Sequence, residues 1–262
     1  MRQQLGGGGS ETNRFYDEQV YGRFYPVGSE HVIPQRFQIA LHRLKECHPL
    51  KYVHVLDIGP ESPSISAFIQ KSIGVMQNNY HCVDVSHAVV ESLAGDGYQA
   101  TCCDLSTQTL PYEDEYFELV ILAEVIEHLT NPDHALREIH RVLKPGGVLL
   151  LTTPNLASWV NRLLLLAGHQ PLTTETSTER GFGWGSRGPK MKPVGHLRLF
   201  VYASLTEMLV NYGFRLLVTG GLPYEPGLVE QMPFKTLVRL VNRVLGLHPS
   251  LGGGLLAIAE RI

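Results

Sequence analysis

YVHVLDIG, residues 52–59, reads as a buried strand that closes on an acid and a glycine. Four comparable stretches follow it: YHCVDVS at 80–86, YQATCCDL at 98–105, FELVILAEV at 117–125 and GVLLLTTP at 147–154. Helical segments fit between them. The clearest is PDHALREIHRVL, with Asn131 as N-cap, Pro132 at the first helical position and a Pro145-Gly146-Gly147 stop behind it. Strand–helix alternation of this kind predicts a mostly parallel sheet covered on both faces.

Upstream, Phe37, Ala40, Leu41 and Leu44 recur at helical spacing. Before them lie Phe15, Tyr16, Tyr21, Phe24 and Tyr25, and residues 1–10, MRQQLGGGGS, read as a flexible tail. Downstream, ASWVNRLLLLAG (157–168) reads as a helix and is followed by a polar, glycine-rich loop from His169 to about Gly195. Leu205 to Tyr212 is a further helix, FRLLVTG (214–220) a strand, Met232 to Leu247 a helix, and LLAIAERI (255–262) a last strand. The division expected is a tail at 1–10, a helical segment at 11–50 and one large domain at 51–262, with an insertion at 155–195 on its substrate side.

The chain has 262 residues, of which 44% are hydrophobic, enough for one large α/β domain with a well-buried core or for two small domains. The formal net charge is -3, without the basic surplus that phosphate neutralisation demands of most nucleic-acid binders. Cys47, Cys82, Cys102 and Cys103 form no C-x-x-C pair, and Cys102 and Cys103 are neighbours inside an apparent strand. Buried, inert thiols in a reducing, cytoplasmic compartment are the expectation.

Three acids stand in order at strand ends: Asp57, Asp84 and Asp104. In an open parallel sheet the ligand lies beyond the carboxyl ends of the strands, where the strand order switches. Gly59 would let a ligand approach the backbone closely. Asp84 could accept both hydroxyl protons of a ribose, and Asp104 a proton from an adenine amino group.

Together VLDIG, CVDVS, CCDLS, LPYEDEYFELVILAEVIEHL, LREIHRVLKPGGVLLLTTPN and GHLRLF resemble a class I S-adenosylmethionine-dependent methyltransferase, of the broad group that includes the ubiquinone-biosynthesis O-methyltransferases. The resemblance covers about residues 50–220. It implies a Rossmann-like, doubly wound, seven-stranded sheet with an antiparallel strand formed by LLAIAERI, helices on both faces, and a helical lid from the N-terminal and inserted segments. It further implies S-adenosylmethionine as cofactor. Asp57 and Gly59 would line its methionine end, Asp84 and Val85 its ribose, Asp104 and the amide of Leu105 its adenine, and Ala123 and Glu124 its sulfonium side. The chain departs from the family in the loop after the first strand. Asp57-Ile58-Gly59-Pro60-Glu61-Ser62-Pro63 keeps one glycine and puts Glu61 near the expected methionine carboxylate, where like charges repel.

Glu124, Glu127 and His128 in AEVIEHL would share one face if that stretch were helical, and His196 in GHLRLF falls over the substrate mouth of the family. His128 and His196 are the candidate general bases, since imidazole titrates near neutrality. The same four residues are the candidate ligands of a divalent cation, which would lower the pKa of an acceptor hydroxyl. The cation is the lesser expectation, because Glu-His at this place also occurs in metal-free relatives.

The acceptor expected is a small molecule, methylated at oxygen, with a lipid-like or glycan compound among the candidates. Aromatics in both added segments, Trp159, Phe182 and Trp184 among them, suit a ring-bearing or apolar compound, although packing explains most of them. In the 232–247 helix Lys235, Arg239 and Arg243 recur at i, i+4 and i+8 beside Leu237, Leu240 and Val244. Its leading reading is a surface helix whose apolar stripe packs on the sheet; the other is contact with an anionic membrane surface. Two rival functions stay open. One is a metal-dependent RNA 2′-O-methyltransferase. The other is a non-catalytic Rossmann-like module, supported by Glu61 and Pro63.

Overall fold

Strands buried on both faces need helices on both faces, and the computed structural model shows how they are supplied. It describes residues 33–48, 52–60, 62–177, 179–180, 182, 194–230 and 235–262. The tail at 1–10, the aromatics between Phe15 and Tyr25, Glu61, Trp184 and residues 231–234 lie outside the described residues.

Helix α1 (Gln35–Cys47) buries Phe37, Ala40, Leu41 and Leu44, the four residues whose spacing marked it. Then come β1 (Val55–Ile58), α2 (Pro63–Ile73), β2 (Tyr80–Asp84), α3 (His87–Gly95), β3 (Gln99–Cys102) and β4 (Phe117–Ala123). Next are α4 (Pro132–Val142), β5 (Leu143–Pro154) and α5 (Trp159–Leu166). The chain closes with α6 (Tyr202–Asn211), β6 (Phe214–Leu222), α7 (Pro226–Glu230), α8 (Lys235–Leu245) and β7 (Gly254–Arg261). At the start of α4 the Asn131 side chain accepts a hydrogen bond from the His134 amide, with Pro132 behind it in the first turn, as the sequence suggested.

The sheet order is β3-β2-β1-β4-β5-β7-β6. β1 to β5 pair in parallel, and β7 is antiparallel to both of its neighbours. Chain order reverses between β1 and β4, which opens the crevice where such sheets bind ligands. β4 shows the period-2 logic: Leu119 and Ile121 pack under α1, α2 and α3, while Val120 and Leu122 pack under α4 and α6.

Three readings need correction. β3 ends at Cys102, so Asp104 lies two residues beyond the strand and Cys103 has left it; β3 is an edge strand with one neighbour, and pairing stops where β2 stops. β5 reaches back to Leu143, which pairs with Phe117 across an irregularity before the regular ladder starts at Val148. The apolar stripe of α8 does not pack on the sheet. Asn242 is the buried residue of that helix, while Leu237, Leu240 and Val244 face solvent. α7, which the sequence had not marked, joins α5 and α8 in a small lobe around Val160, Leu164, Tyr224 and Val229. Trp159 packs against that lobe, and Phe182 is exposed.

The lobe is tied to the sheet at its root. The Asn242 side chain accepts from the Tyr224 amide and donates to the Tyr224 carbonyl. Gly221 donates to the Leu247 carbonyl, and a Cβ there would sit 2.3 Å from the His248 carbonyl oxygen. Backbone cannot yield as a side chain can. Gly221→Ala should therefore cost about 2–3 kcal/mol, read as a lowered urea midpoint, whereas an alanine at open Gly227 should cost under about 1 kcal/mol.

Candidate functional site

Register brings the first residues of the site together. Ile58 pairs with Val83 on one side and with Leu122 on the other. The next residue on each strand, Gly59, Asp84 and Ala123, therefore stands at one level at the mouth of the crevice. Gly59 has φ +67, and a Cβ on it would lie 2.4 Å from Val125 Cγ2. A side chain is excluded both by the left-handed backbone and by this contact.

The three acids are differently placed. Asp57 is buried and accepts from Tyr80 Oη at 2.7 Å and Ser66 Oγ at 3.2 Å, so it ties β1 to β2 and α2. Asp84, the last residue of β2, takes the Ser86 amide on Oδ1 at 2.7 Å, which fixes its carboxylate at the strand end. Asp104 sits in a local turn, with the Ser106 amide on Oδ1 and Thr107 Oγ1 on Oδ2. Beside them, the Val85 carbonyl accepts from Cys102 Sγ, and the Leu105 side chain is part of the core. Glu61 lies outside the described residues. Ser62 and Pro63 have a plain structural use, because the Ser62 side chain caps α2 and Pro63 opens it.

The stretch from Glu124 to His128 is not the helix that the spacing implied. Glu124 adopts φ 57, a left-handed conformation that costs a non-glycine residue about 1–3 kcal/mol. Only Ile126–His128 forms a single 3-10 turn. Each carboxylate is instead held by a threonine of β5: Thr152 Oγ1 donates to Glu124 Oε1 and Thr153 Oγ1 to Glu127 Oε2, both at 2.9 Å.

Glu127, His128 and His196 do come together, each with a ligand atom within 4.8 Å of the others'. Glu124 is not in that group. The Glu127 carbonyl accepts from the amides of Leu197 and Arg198 and so docks the distant GHLRLF stretch. Glu175, which the sequence had not singled out, accepts from the amides of Val194, Gly195 and His196. His128 Nδ1 meets the Gly195 carbonyl at 3.0 Å, and His196 Nδ1 meets the Thr173 carbonyl at 3.1 Å. A carbonyl only accepts, so both Nδ1 atoms carry a proton, and Nε2 is the acceptor nitrogen of each ring in its neutral form.

The electrostatics follow from burial. Burial, and next the Glu124 carboxylate, raise Glu127 well above the usual carboxylate range. Its Oε1 is buried without a hydrogen-bond partner. Burial, and then neighbouring His196, hold the His128 imidazole down to about 4. At neutral pH His128 is a neutral acceptor.

Between pH 6.5 and about 4, therefore, the unfolded chain binds a proton at position 128 that the native chain does not. Stability contributed by this group is full above pH 6.5 and falls on acidification. His128→Gln should reduce the slope of stability against pH in that window by up to ~1.4 kcal/mol per unit, measured by urea unfolding. His48, His81 and His140, also lowered by burial, should add to that slope, while Glu127, raised by burial, should oppose it.

Residues 56–151 match a family model described as a methyltransferase domain. A curated relative, the ubiquinone/menaquinone biosynthesis C-methyltransferase UbiE of Neisseria meningitidis, is 30% identical over 121 residues, 42% of this chain and 49% of that protein. The chain thus matches about half the length of the curated relatives. Among solved structures, the [4+2]-cyclase SpnF superposes with a TM-score of 0.55 at 19% identity, over 86% of this chain and 80% of that one. An S-adenosylmethionine-dependent methyltransferase from Mesorhizobium loti superposes with a TM-score of 0.54 at 13% identity, over 86% and 96%. These two likenesses concern the fold alone, and a cyclase among them illustrates that one fold hosts several reactions. The seven-stranded sheet with its one antiparallel strand agrees with the match over residues 56–151, and both support a class I S-adenosylmethionine-dependent methyltransferase domain in that part of the chain.

Proposed function

We propose that this chain transfers the methyl group of S-adenosylmethionine to a hydroxyl oxygen of a small-molecule acceptor. The observation that carries this reading is the Glu127–His128–His196 group beside the crevice marked by Gly59, Asp84 and Ala123. The cofactor supplies an activated methyl. The protein has to align a nucleophile and keep water out. A hydroxyl must also lose its proton as the O–C bond forms and the S–C bond breaks, leaving a neutral thioether. His128 Nε2 or His196 Nε2, with each ring held by its Nδ1–H, is suited to take that proton. The curated relatives are named C-methyltransferases, so carbon is the rival acceptor atom.

A second reading adds a divalent cation, and Glu127 Oε1 favours it. A buried carboxylate oxygen without a partner is costly, and a cation would satisfy it. Two imidazoles whose other nitrogens donate to carbonyls form the donor set such ions take. Glu127, His128 and His196 would hold the ion, which would acidify the acceptor hydroxyl. The RNA reading gains nothing here, since the net charge of -3 offers no basic surplus to neutralise phosphate. The inactive-module reading rests on Glu61 alone, because Pro63 serves α2.

Calorimetric titration with S-adenosylhomocysteine should show binding that Asp84→Ala weakens at least about tenfold, the loss of one or two charged hydrogen bonds. A folded wild-type protein that does not bind would overturn the methyltransferase reading. With binding established, labelled methyl groups should enter the lipid or small-molecule fraction of an extract rather than RNA or protein. His128→Gln and His196→Gln should each lower turnover by about a hundredfold or more while cofactor affinity stays within about threefold. Loss of turnover on chelation, restored by magnesium or manganese in wild type but not in Glu127→Gln, would select the second reading.

A further inference from the structure

We infer that helix α8 docks this protein on an anionic lipid bilayer. The inference adds a surface to the methyltransferase reading and bears on its acceptor, but lipid binding is measured without turnover, so either can fail alone.

Three arcs divide α8. Val238, Asn242 and Leu245 turn inward, and the two hydrogen bonds from Asn242 to Tyr224 set that orientation. On the outward side Leu237, Leu240 and Val244 follow one another at i, i+3 and i+7, with Leu247 in the turn just past the helix. They are 60%, 59%, 68% and 48% exposed. Alongside runs the basic row Lys235, Arg239 and Arg243. Lys235 and Arg239 share the single carboxylate of Glu230, and Arg243 has no ion pair among the described residues. The row therefore keeps a net positive charge in a chain whose total is -3. A solvent-exposed apolar row flanked by a basic row is the arrangement of a helix lying in the headgroup layer of an acidic membrane.

Two neighbouring features fit the same occupant. A cavity of about 690 Å³ opens between α1 and α8, with Arg43, Arg239 and Arg243 on its polar side and Ile39, Tyr224 and Leu247 on its apolar side. That lining matches a phosphate headgroup and the first carbons of its acyl chains. On α5, in the same lobe, Leu163, Leu165 and Leu166 are also exposed. The lobe grows from the carboxyl ends of β5 and β6, the end of the sheet at which the crevice opens. A bilayer on α8 would lie beside the acceptor's entrance, and an acceptor that partitions into lipid would be delivered there.

The test is flotation of the full chain with vesicles at low salt. Phosphatidylglycerol-rich vesicles should carry wild type, and phosphatidylcholine vesicles should carry much less. Arg239→Glu with Arg243→Glu should weaken partitioning on the order of thirtyfold, and added salt should do the same to wild type. Leu240→Asp with Val244→Asp should weaken it at least roughly tenfold. Both pairs are on the surface, and unchanged thermal unfolding confirms that they fold. Equal flotation with both vesicle types, or full retention by the aspartate pair, would overturn the proposal. So would failure of wild type to float together with a solution dimer that the aspartate pair dissociates, which would assign this face to a second copy.

Discussion

Ile58 is paired in parallel with Val83 on one side and Leu122 on the other, and the rest of the site depends on that rung. Beyond it the strands on either side are followed by connections that leave in opposite directions, so a crevice opens. Gly59 lies at its floor with Val125 against it. Any side chain at 59 would displace Val125 and with it the turn that carries Glu127 and His128. The mouth of the crevice and the candidate acid–base group are thus neighbours on either side of Val125.

Glu127 is the second hinge of the architecture. Its side chain is held by Thr153 of β5 and its carbonyl by two amides of the 194–200 segment. Burying a carboxyl group with one oxygen unsatisfied is unfavourable, and so is the left-handed backbone of Glu124 three residues before it. Local costs of this kind persist only where the surrounding structure over-determines them. Here the ladder between β4 and β5 and the clamp from Glu175 do so.

The lobe of α5, α7 and α8 is built by another logic. It has a small core of its own, and Asn242 anchors it through polar bonds to backbone. A helix held by an asparagine need not spend its apolar row on the interior. That row is left outside, next to the arginines. Among the described residues no helix is long and apolar enough to cross a membrane.

Much of this was legible in the chain itself. The strand–helix alternation, the Asn131-Pro132 start of α4 and the placement of Asp57, Gly59 and Asp84 near strand ends are local consequences of side-chain period, φ preference and capping. The register was not legible, because pairing is a contact between distant segments. It decided that Asp104 falls past the end of β3. Nor could spacing show that Glu124, Glu127 and His128 avoid a helix. An i, i+3, i+4 pattern is neutral until tertiary contacts act, and threonines from β5 override it here. His196 is brought to His128 by long-range bonds, among them those of Glu175 and of the Glu127 carbonyl. The amphipathic pattern of α8 was visible from the first reading, but not which of its faces would be buried. Sequence by itself determined which elements exist and what chemistry each carries. Tertiary structure alone decided which of those groups meet and which face water, because both depend on backbone hydrogen bonds between residues far apart in the chain.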